Sequence, residues 1–217
     1  GERNVMTVED PVEYDLPGVS QTQINLRAGM TFARGLRAIL RQDPDVILIG
    51  EIRDGETAEI ATQASLTGHL VLSTLHTNAA AGAITRLQDL GVDSFLLAST
   101  VRGILSQRLM RKLCGHCRQE VQADEFNRNL LKLEPGASIY QSKGCAECNN
   151  TGFSGRQAMF ELVTVDPSLQ SLIHENAGEI EIEESIRQRV PSIRDAGFEL
   201  VRQGVTTVEE VLRVTSV

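Results

Sequence analysis

Short apolar runs alternate with amphipathic stretches along the first hundred residues, and this pattern predicts an α/β fold with a parallel sheet. Three of these runs predict strands, namely NVMTVED (4–10), DVILIGE (45–51) and HLVLSTLHT (69–77). Each run is apolar in its middle and ends on polar or charged side chains. The sequence therefore predicts buried strands that present reactive groups where they leave the sheet.

Helical spacing predicts the segments between and after these strands. The helix that follows Thr31, a suitable N-cap residue, is expected to stop before Pro44. The next helix is expected to close at Gly68, and a third to begin at Asn78 as its N-cap. The stretch after Asp93, SFLLASTVRGILSQRLM, is predicted to form one long helix.

The rest of the chain predicts two smaller regions. Residues 113–156 hold two C-x-x-C pairs on either side of a short predicted helix, DEFNRNLLKL. After the apolar run QAMFELVTV, apolar residues at i, i+3 and i+4 predict four helices, with Pro167 in a first turn and Thr207 spaced to cap Glu210. We therefore predict an α/β layer over 1–112, a tetracysteine subdomain over 113–156 and a helical domain over 157–217.

Polar side chains at the predicted strand ends form the first candidate site. Glu9 and Asp10 end the first strand, Glu51 ends the second, and His76 with Thr77 ends the third. In an open parallel sheet, ligands bind outside the carboxyl ends of the strands, so these side chains are expected to share one crevice. The alternative is that such residues only mark where each strand leaves the core.

Phosphoanhydride hydrolysis is the chemistry that fits two carboxylates and a histidine. It needs one carboxylate to hold magnesium, another group to orient water, and donors for the departing phosphate. Glu9 and Glu51 are expected to divide the first two tasks, and His76 to contact the terminal phosphate. Arg37 and Arg41 lie four apart, which on a helix face fits either a phosphate role or a solvated surface.

A phosphate-binding loop is absent from the sequence. None of the three lysines, Lys112, Lys132 and Lys143, ends a G-x-x-x-x-G-K pattern. The α/β layer is therefore expected to be the second half of a nucleotide-binding domain, with the loop on an earlier strand and helix. The chain alone is expected to be inactive as an ATPase.

Composition narrows the function classes further. A formal net charge of -8 and only 4% aromatic residues argue against a general nucleic-acid binder. No apolar run approaches the ~20 residues of a membrane span, and the first residues do not resemble a signal peptide. We therefore expect a soluble intracellular protein.

Four cysteines in two close pairs form the second candidate site. Cys114 and Cys117 are separated from Cys145 and Cys148 by 27 residues, and each C-x-x-C turn presents two sulfurs to one metal. Structural zinc is favoured over disulfides, which a reducing compartment disfavours, and over a redox motif. His116 is an alternative ligand, although an exposed loop residue is the simpler interpretation.

These motifs together resemble the secretion-ATPase superfamily that drives type II secretion and type IV pili. TVEDPVEY, GMTFARGLRAILRQDPDVILIGEIRD and ASLTGHLVLSTLHTN are similar to its Asp box, Walker B segment and His box. The residue sequences of the second segment and of GVTTVEEVLRVT near the end are most similar to those of type II secretion ATPases. The likeness runs from Thr7 to about Thr215, and many family members carry a tetracysteine metal subdomain at this place.

The resemblance implies a hexameric ATPase with a RecA-like fold, on the cytoplasmic face of the bacterial inner membrane. It implies Mg²⁺ and ATP as cofactors in the full-length protein, structural Zn²⁺, and contacts with an inner-membrane secretion platform and cytoplasmic linker proteins, without nucleic acid. It assigns catalytic roles to Glu9 and Glu51, leaving open which one activates water. The implied nucleotide-binding residues are Asp10, Glu13, Arg37, Arg41, Arg53, His69 and His76.

Three other functions compete with this one. The tetracysteine site alone would fit a non-enzymatic zinc-binding interaction module, possibly one that binds nucleic acid. A type IV pilus assembly ATPase would share most of the motifs. A DNA-pairing or helicase relative would share the strand-end pattern, but the His box and the cysteines argue against it.

Overall fold

Eight strands alternate with helices in the computed structural model, which describes residues 3–77 and 79–216. The strands are β1 (Val5–Glu9), β2 (Ser20–Gln23), β3 (Val46–Ile49), β4 (Leu70–Ser73), β5 (Gly103–Leu113), β6 (Gln119–Gln122), β7 (Ser138–Gln141) and β8 (Phe153–Thr164). The helices are α1 (Phe32–Ile39), α2 (Gly55–Leu66), α3 (Ala80–Asp89), α4 (Ser94–Thr100), α5 (Glu125–Leu131), α6 (Pro167–His174), α7 (Glu179–Arg187), α8 (Ile193–Arg202) and α9 (Val208–Thr215).

A parallel four-stranded sheet in the order β2-β1-β3-β4 confirms the predicted fold class. The three strands predicted from apolar runs are direct neighbours, because Val8 pairs with Ile49 and Ile49 pairs with Ser73. Val8, Ile47 and Ile49 are fully buried and belong to one apolar cluster with residues of α1 and α2. Burial of this face holds the three strand ends in a fixed order.

Helix boundaries near the sheet follow the predicted signals. Thr31 caps α1, since its hydroxyl accepts a hydrogen bond from the Arg34 amide. Gly68 follows α2 with a φ of 104°, a conformation that favours glycine. Asn78, the predicted cap of the third helix, lies outside the described residues, and α3 follows Ala79, which provides no side-chain cap.

The long helix predicted after Asp93 is wrong. Asp93 does cap a helix, but α4 ends at Thr100, and Val101 already has an extended conformation. From Gly103 the chain forms the 11-residue strand β5. Each face of β5 mixes apolar and polar residues, with Met110 buried and Leu105 exposed, so the sequence shows no clear alternation.

Two compact units divide the chain, one from Gly1–Ile104 with Thr164–Ile186 and one from Leu105–Val163 with Arg187–Val217. The four predicted C-terminal helices are present, with α6 and α7 in the first unit and α8 and α9 in the second. Pro167 stands in the first turn of α6, as predicted. The division into functional segments 1–112, 113–156 and 157–217 stays a prediction.

The second unit has its own core around α8 and α9. Met110 of β5 and Met159 of β8 pack with Phe198, Val201 and Val211 of these helices. Beside them, β6 and β7 pair antiparallel, with Gln119 opposite Gln141. In the chain, β6 follows the first cysteine pair and β7 precedes the second.

A buried carboxylate ties α9 to β5 within the second unit. Thr207 caps α9 as predicted, but the side chain of Glu210 is fully buried and turns to Arg111 and Arg213. Its oxygens accept hydrogen bonds from the Arg111 amide at 2.9 Å and from both guanidinium groups at 2.7 Å. The hydrogen bond from Arg213 and those from Arg111 hold the pKa of Glu210 well below its ordinary value.

Replacing Glu210 with Gln is expected to lower the free energy of unfolding of this chain by about 2 kcal/mol, because the arginines lose a buried counter-charge. Since the folded pKa is depressed, this contribution is complete above the unfolded value of about 4.3 and is lost as the pH falls below it. Urea unfolding at pH 7 and pH 3.5 measures both effects. Exposed Glu209→Gln is the matched control, and equal losses in the two variants would contradict the assignment.

No helix among residues 3–77 and 79–216 is both long enough and apolar enough to cross a membrane.

Candidate functional site

Three neighbouring strand ends meet in a cleft of about 290 Å³ at the carboxyl edge of the parallel sheet. Glu9 ends β1, while Glu51 and His76 follow β3 and β4 by two and three residues. The predicted convergence of these side chains is therefore observed. The cleft is lined by Glu9, Asp10, Pro11, Glu13, Phe32, Leu48, Gly50, Glu51, Thr74 and His76.

Backbone hydrogen bonds extend the sheet beyond the strands and fix their ends. The Gly50 amide donates to the Val8 carbonyl at 2.8 Å, and the Ile52 amide donates to the Thr74 carbonyl at 3.1 Å. The Thr74 hydroxyl adds a bond of 2.6 Å to the Gly50 carbonyl. These bonds hold in place the backbone that carries the side chains at the strand ends.

Glu51 is the most buried acid of the cleft, with 11% of its side chain exposed. Its Oε1 pairs with the guanidinium of Arg53, and its Oε2 lies 3.3 Å from Nε2 of His76. Within the described residues Oε2 is buried, and the approach of His76 does not have the geometry of a hydrogen bond. The hydrogen bond from Arg53 holds the pKa of Glu51 below its ordinary value against the effect of burial, so the carboxylate is charged at neutral pH.

Glu9 is half-buried and is held by uncharged donors. Its Oε1 accepts hydrogen bonds from the buried hydroxyl of Thr7 and from Nε2 of Gln21, the latter at 2.9 Å. Sequence reasoning missed both donors. Thr7 precedes Glu9 by two residues and so shares its strand face, which is a signal the sequence contains, whereas the polar strand of Gln21 was not predicted.

Asp10 and Glu13 belong to the exposed loop that follows β1, and both line the cleft. With Glu9 and Glu51 they make it strongly acidic. Arg53, whose pKa is raised chiefly by its bond to Glu51, is the cation in contact with this group. Asp10 follows the end of β1 as expected, and the implied nucleotide-binding roles of Asp10, Glu13 and Arg53 stay predictions.

The structure does not bring His69, Arg41 or Arg37 into the cleft. His69 precedes β4, at the opposite edge of the sheet, where its Nδ1 lies 2.9 Å from the Ala64 carbonyl. Arg41 lies beyond the end of α1 at Ile39, so it does not share a helix face with Arg37. Its neighbour Gln42 accepts a hydrogen bond from Asn4, which precedes β1, and this places Arg41 at the amino edge.

Arg37 remains on α1 but pairs with Glu56 on α2 at 2.6 Å, and both side chains are more than half exposed. Exposed ion pairs of this kind contribute little to stability. For Arg37 the solvated-surface interpretation is the one that its contacts favour within this chain.

The four cysteines form a second cluster. Cys114 follows β5, Cys117 precedes β6, and Cys145 and Cys148 lie between β7 and β8. Their sulfurs all lie within 4.8 Å of one another. The Sγ atoms of Cys114 and Cys145 are 3.9 Å apart, and those of Cys117 and Cys148 are 3.8 Å apart.

These separations match a tetrahedral zinc site. With zinc–sulfur bonds of about 2.3 Å, the sulfurs of a tetrahedron lie roughly 3.8 Å from each other. Amide groups of Cys145 and Gly152 donate to Sγ of Cys148 at 3.3 and 3.2 Å. Burial raises the pKa of Cys148, but these amides together with the neighbouring thiols lower it to about 6, whereas burial raises the pKa of Cys117 to about 11.

Two glycines shape the turn around the second cysteine pair. Gly144 and Gly152 have φ values of 99° and 76°, and a Cβ on Gly144 would lie 2.8 Å from the Asn150 carbonyl oxygen. His116 is exposed and is not one of the four clustered ligands. The donor set within the described residues is therefore four sulfurs.

Comparison with known proteins now decides the family. The sequence profile described as Type II/IV secretion system protein matches residues 1–213. The chain belongs to this family. It is 58% identical to the Type II secretion system ATPase E of Vibrio cholerae serotype O1 over 217 residues, which is 99% of the chain and 43% of that protein.

Other family members show the same coverage. The Type II secretion system protein E of Pseudomonas aeruginosa is 58% identical over 215 residues, covering 98% of the chain and 43% of that protein. The chain thus spans about two fifths of the length of these relatives. The predicted resemblance to type II secretion ATPases is confirmed.

Solved structures support the fold. The crystal structure of the pilus retraction motor PilT with bound ADP matches 97% of the chain and 52% of that protein, with a TM-score of 0.69 and 30% identity. The ATPase DotB of Legionella pneumophila matches 96% of the chain and 50% of that protein, with a TM-score of 0.66. Its 21% identity shows a shared fold alone.

Proposed function

We propose that this chain is part of a motor ATPase that hydrolyses ATP to drive type II protein secretion through pseudopilus assembly. The observation that carries the proposal is the meeting of Glu9, Glu51 and His76 in one cleft at the carboxyl edge of the sheet. Relatives named as type II secretion proteins, and the ADP-bound PilT structure, support it. The chain itself would contribute acids to the nucleotide site rather than the phosphate loop.

The Glu51 carboxylate fits a magnesium ion. Its Oε2 is buried, negatively charged and without a hydrogen bond among the described residues, and a hard cation prefers such an oxygen, directly or through water. Asp10 and Glu13 add negative charge along the same cleft. Magnesium would supply charge neutralisation for the phosphates when bound with ATP.

Glu9 is the better candidate for orienting the attacking water. Both of its hydrogen bonds go to Oε1, which fixes the carboxylate and directs Oε2 to accept a proton in the cleft. Glu51 already pairs with Arg53, while Glu9 has only neutral donors. His76, which lies beside Glu51 with 88% of its side chain exposed, is proposed to contact the terminal phosphate.

The missing phosphate loop is proposed to come from the part of the protein outside this chain. The chain covers 43% of the full-length relatives, and β4 is an edge strand with Leu70 and Leu72 each 47% exposed. An apolar edge strand in a parallel sheet is normally covered by further structure. We therefore propose that the sheet continues beyond β4 in the complete protein.

The test compares phosphate release from MgATP by the full-length protein and by this chain. Turnover is expected for the full-length protein, whereas the chain alone is expected to give no more than background. Comparable turnover by the chain alone would contradict the proposed division of the site. Full-length protein without ATPase activity under any magnesium concentration would contradict the proposed function.

The tetracysteine site is proposed to hold one structural zinc ion. Cys114, Cys117, Cys145 and Cys148 would fill all four tetrahedral positions, leaving no open position for substrate. The ion would then fix the two turns next to β5 and β8 without taking part in hydrolysis. The proposed tetracysteine segment, 113–156, contains all four ligands.

The cellular setting is also a proposal, which the relatedness to type II secretion proteins supports. We propose that the full-length protein acts as a homo-hexamer on the cytoplasmic face of the bacterial inner membrane. Its partners would be the inner-membrane secretion platform and cytoplasmic linker proteins. Arg37, Arg41 and His69, which lie away from the cleft, are proposed to reach nucleotide from a neighbouring subunit.

A non-enzymatic zinc-binding module on nucleic acid is the second candidate, and the four-sulfur cluster is the observation that favours it. The net charge of -8 weakens it. Titration of this chain into fluorescent DNA and RNA at low and high salt distinguishes the two functions. Tight, salt-sensitive binding would support this candidate.

A further inference from the structure

Gln21, on the edge strand β2, joins Glu9 to the loop that carries Asp10 and Glu13. Its Nε2 donates to Glu9 Oε1 at 2.9 Å and to the Tyr14 carbonyl at 3.0 Å. Its Oε1 accepts a hydrogen bond of 2.7 Å from the Leu16 amide. One half-buried side chain therefore bonds both Glu9 and the backbone of the loop segment that follows Glu13.

The amide of Gln21 has one orientation that satisfies all three partners. A primary amide has two donor hydrogens and one acceptor oxygen. Here both donors face oxygen acceptors and the oxygen faces an N–H donor. A flipped amide would place its oxygen against the Glu9 carboxylate and the Tyr14 carbonyl, so the local hydrogen bonds select the observed orientation.

Strand pairing fixes where Gln21 stands. In the parallel register, Gln21 lies opposite Thr7, the second donor to Glu9 Oε1. The two donors therefore approach the same oxygen from adjacent strands. Two donors on one oxygen restrict the rotation of the Glu9 carboxylate about its side-chain bonds.

We infer that Gln21 is a positioning residue for hydrolysis, which sets the Glu9 carboxylate and the Asp10–Glu13 loop in one geometry. The inference rests on the proposed function of Glu9. Misplacement of a reacting group by about 1 Å can cost roughly 100-fold in rate. The effect of Gln21 is therefore expected on turnover, with little effect on nucleotide binding.

The test uses the full-length protein and the variants Gln21→Glu and Gln21→Met. Gln21→Glu keeps the acceptor for the Leu16 amide but loses both donated bonds and sets a second carboxylate beside Glu9. It is expected to lower kcat for MgATP roughly 10- to 100-fold, with KM changed by less than about threefold. Gln21→Met loses all three bonds without adding charge and is expected to be less impaired.

Turnover of the folded variants separates positioning from simple stability. If Gln21 only held the loop together, both variants would melt at a lower temperature but keep a kcat within about threefold of wild type while folded, and that outcome would overturn the inference. If Gln21→Glu does not fold, as judged by thermal melting, a kcat for Gln21→Met within about threefold of wild type would also overturn it.

Gln23 provides the matched control on the same strand. Gln23 pairs with Glu9 through the backbone ladder, but its side-chain Oε1 accepts a bond of 3.3 Å from the Val12 amide in the same loop, and it makes no hydrogen bond to the Glu9 side chain among the described residues. Gln23→Glu is expected to retain kcat within about threefold, and a loss equal to that of Gln21→Glu would overturn the inference. Glu9→Gln is measured beside them: near-normal turnover there would instead defeat the proposed role of Glu9.

Discussion

Replacing Glu51 with Gln in the full-length protein is expected to lower kcat for ATP hydrolysis by at least about 100-fold. The substitution removes the charge from the buried Oε2 that faces the cleft while keeping the size of the side chain. Steady-state phosphate release at saturating MgATP measures the loss. The requirement for Mg²⁺ is expected to rise in the same variant, because the proposed magnesium ligand is gone.

Glu56→Gln is the control for this substitution. Glu56 starts α2 close to the same edge of the sheet, but it is exposed, pairs with Arg37 and does not line the cleft. Its kcat is expected to stay within about twofold of wild type. Equal activity of the Glu51 and Glu56 variants would contradict a magnesium role for Glu51.

Glu9→Gln distinguishes the two proposed acids. If Glu9 orients water, its variant is expected to lose about 100-fold or more in kcat with an unchanged Mg²⁺ requirement. A raised Mg²⁺ requirement in Glu9→Gln, together with an unchanged one in Glu51→Gln, would reverse the assignment.

Removal of two cysteines is expected to have the largest structural effect. Cys145→Ser with Cys148→Ser removes half of the proposed ligand set, and structural zinc sites contribute roughly 10 kcal/mol or more of binding energy to folding. Purified wild-type chain is expected to contain about one zinc ion, and the double variant close to none. Plasma emission spectrometry measures the metal, and protease digestion measures the accompanying exposure of the second unit.

His116→Ala is the matched control for the zinc prediction. His116 lies between Cys114 and Cys117 in the sequence but is exposed and outside the cluster of sulfurs. Its variant is expected to retain full zinc content and wild-type protease resistance. Zinc-free wild-type protein that melts at the same temperature with and without a chelator would overturn the proposal.

The cleft was largely predictable because buried parallel strands place their carboxyl ends side by side. The sequence shows that the two apolar runs end at Val8 and Ile49. The next charged residues, Glu9 and Glu51, therefore fall at the same edge of the sheet. The same rule explains the misplacement of His69. It precedes β4 rather than following it, so it lies at the edge of the sheet opposite His76, although both histidines belong to the same sequence motif.

Other features were not predictable, because tertiary contacts decide them. Ser20–Gln23 has no apolar alternation, and it becomes a strand only because β1 offers a pairing edge and the Glu9 carboxylate offers an acceptor. The stretch after Thr100 has helix-like spacing of Leu105 and Leu109, yet both side chains are exposed on β5. Pairing with β8 outweighed that spacing.

The exposed leucines of β4 have a practical consequence for work with the isolated chain. Because β4 is an edge strand, one row of its amide and carbonyl groups has no partner strand within the described part of the chain, and the strand also exposes Leu70 and Leu72. A second molecule can add its own strand to such an edge. Dimers or larger species of the isolated chain would then form by edge-to-edge pairing of β4 strands. The subunit arrangement is therefore best measured on the full-length protein, in which the proposed continuation of the sheet would cover this edge.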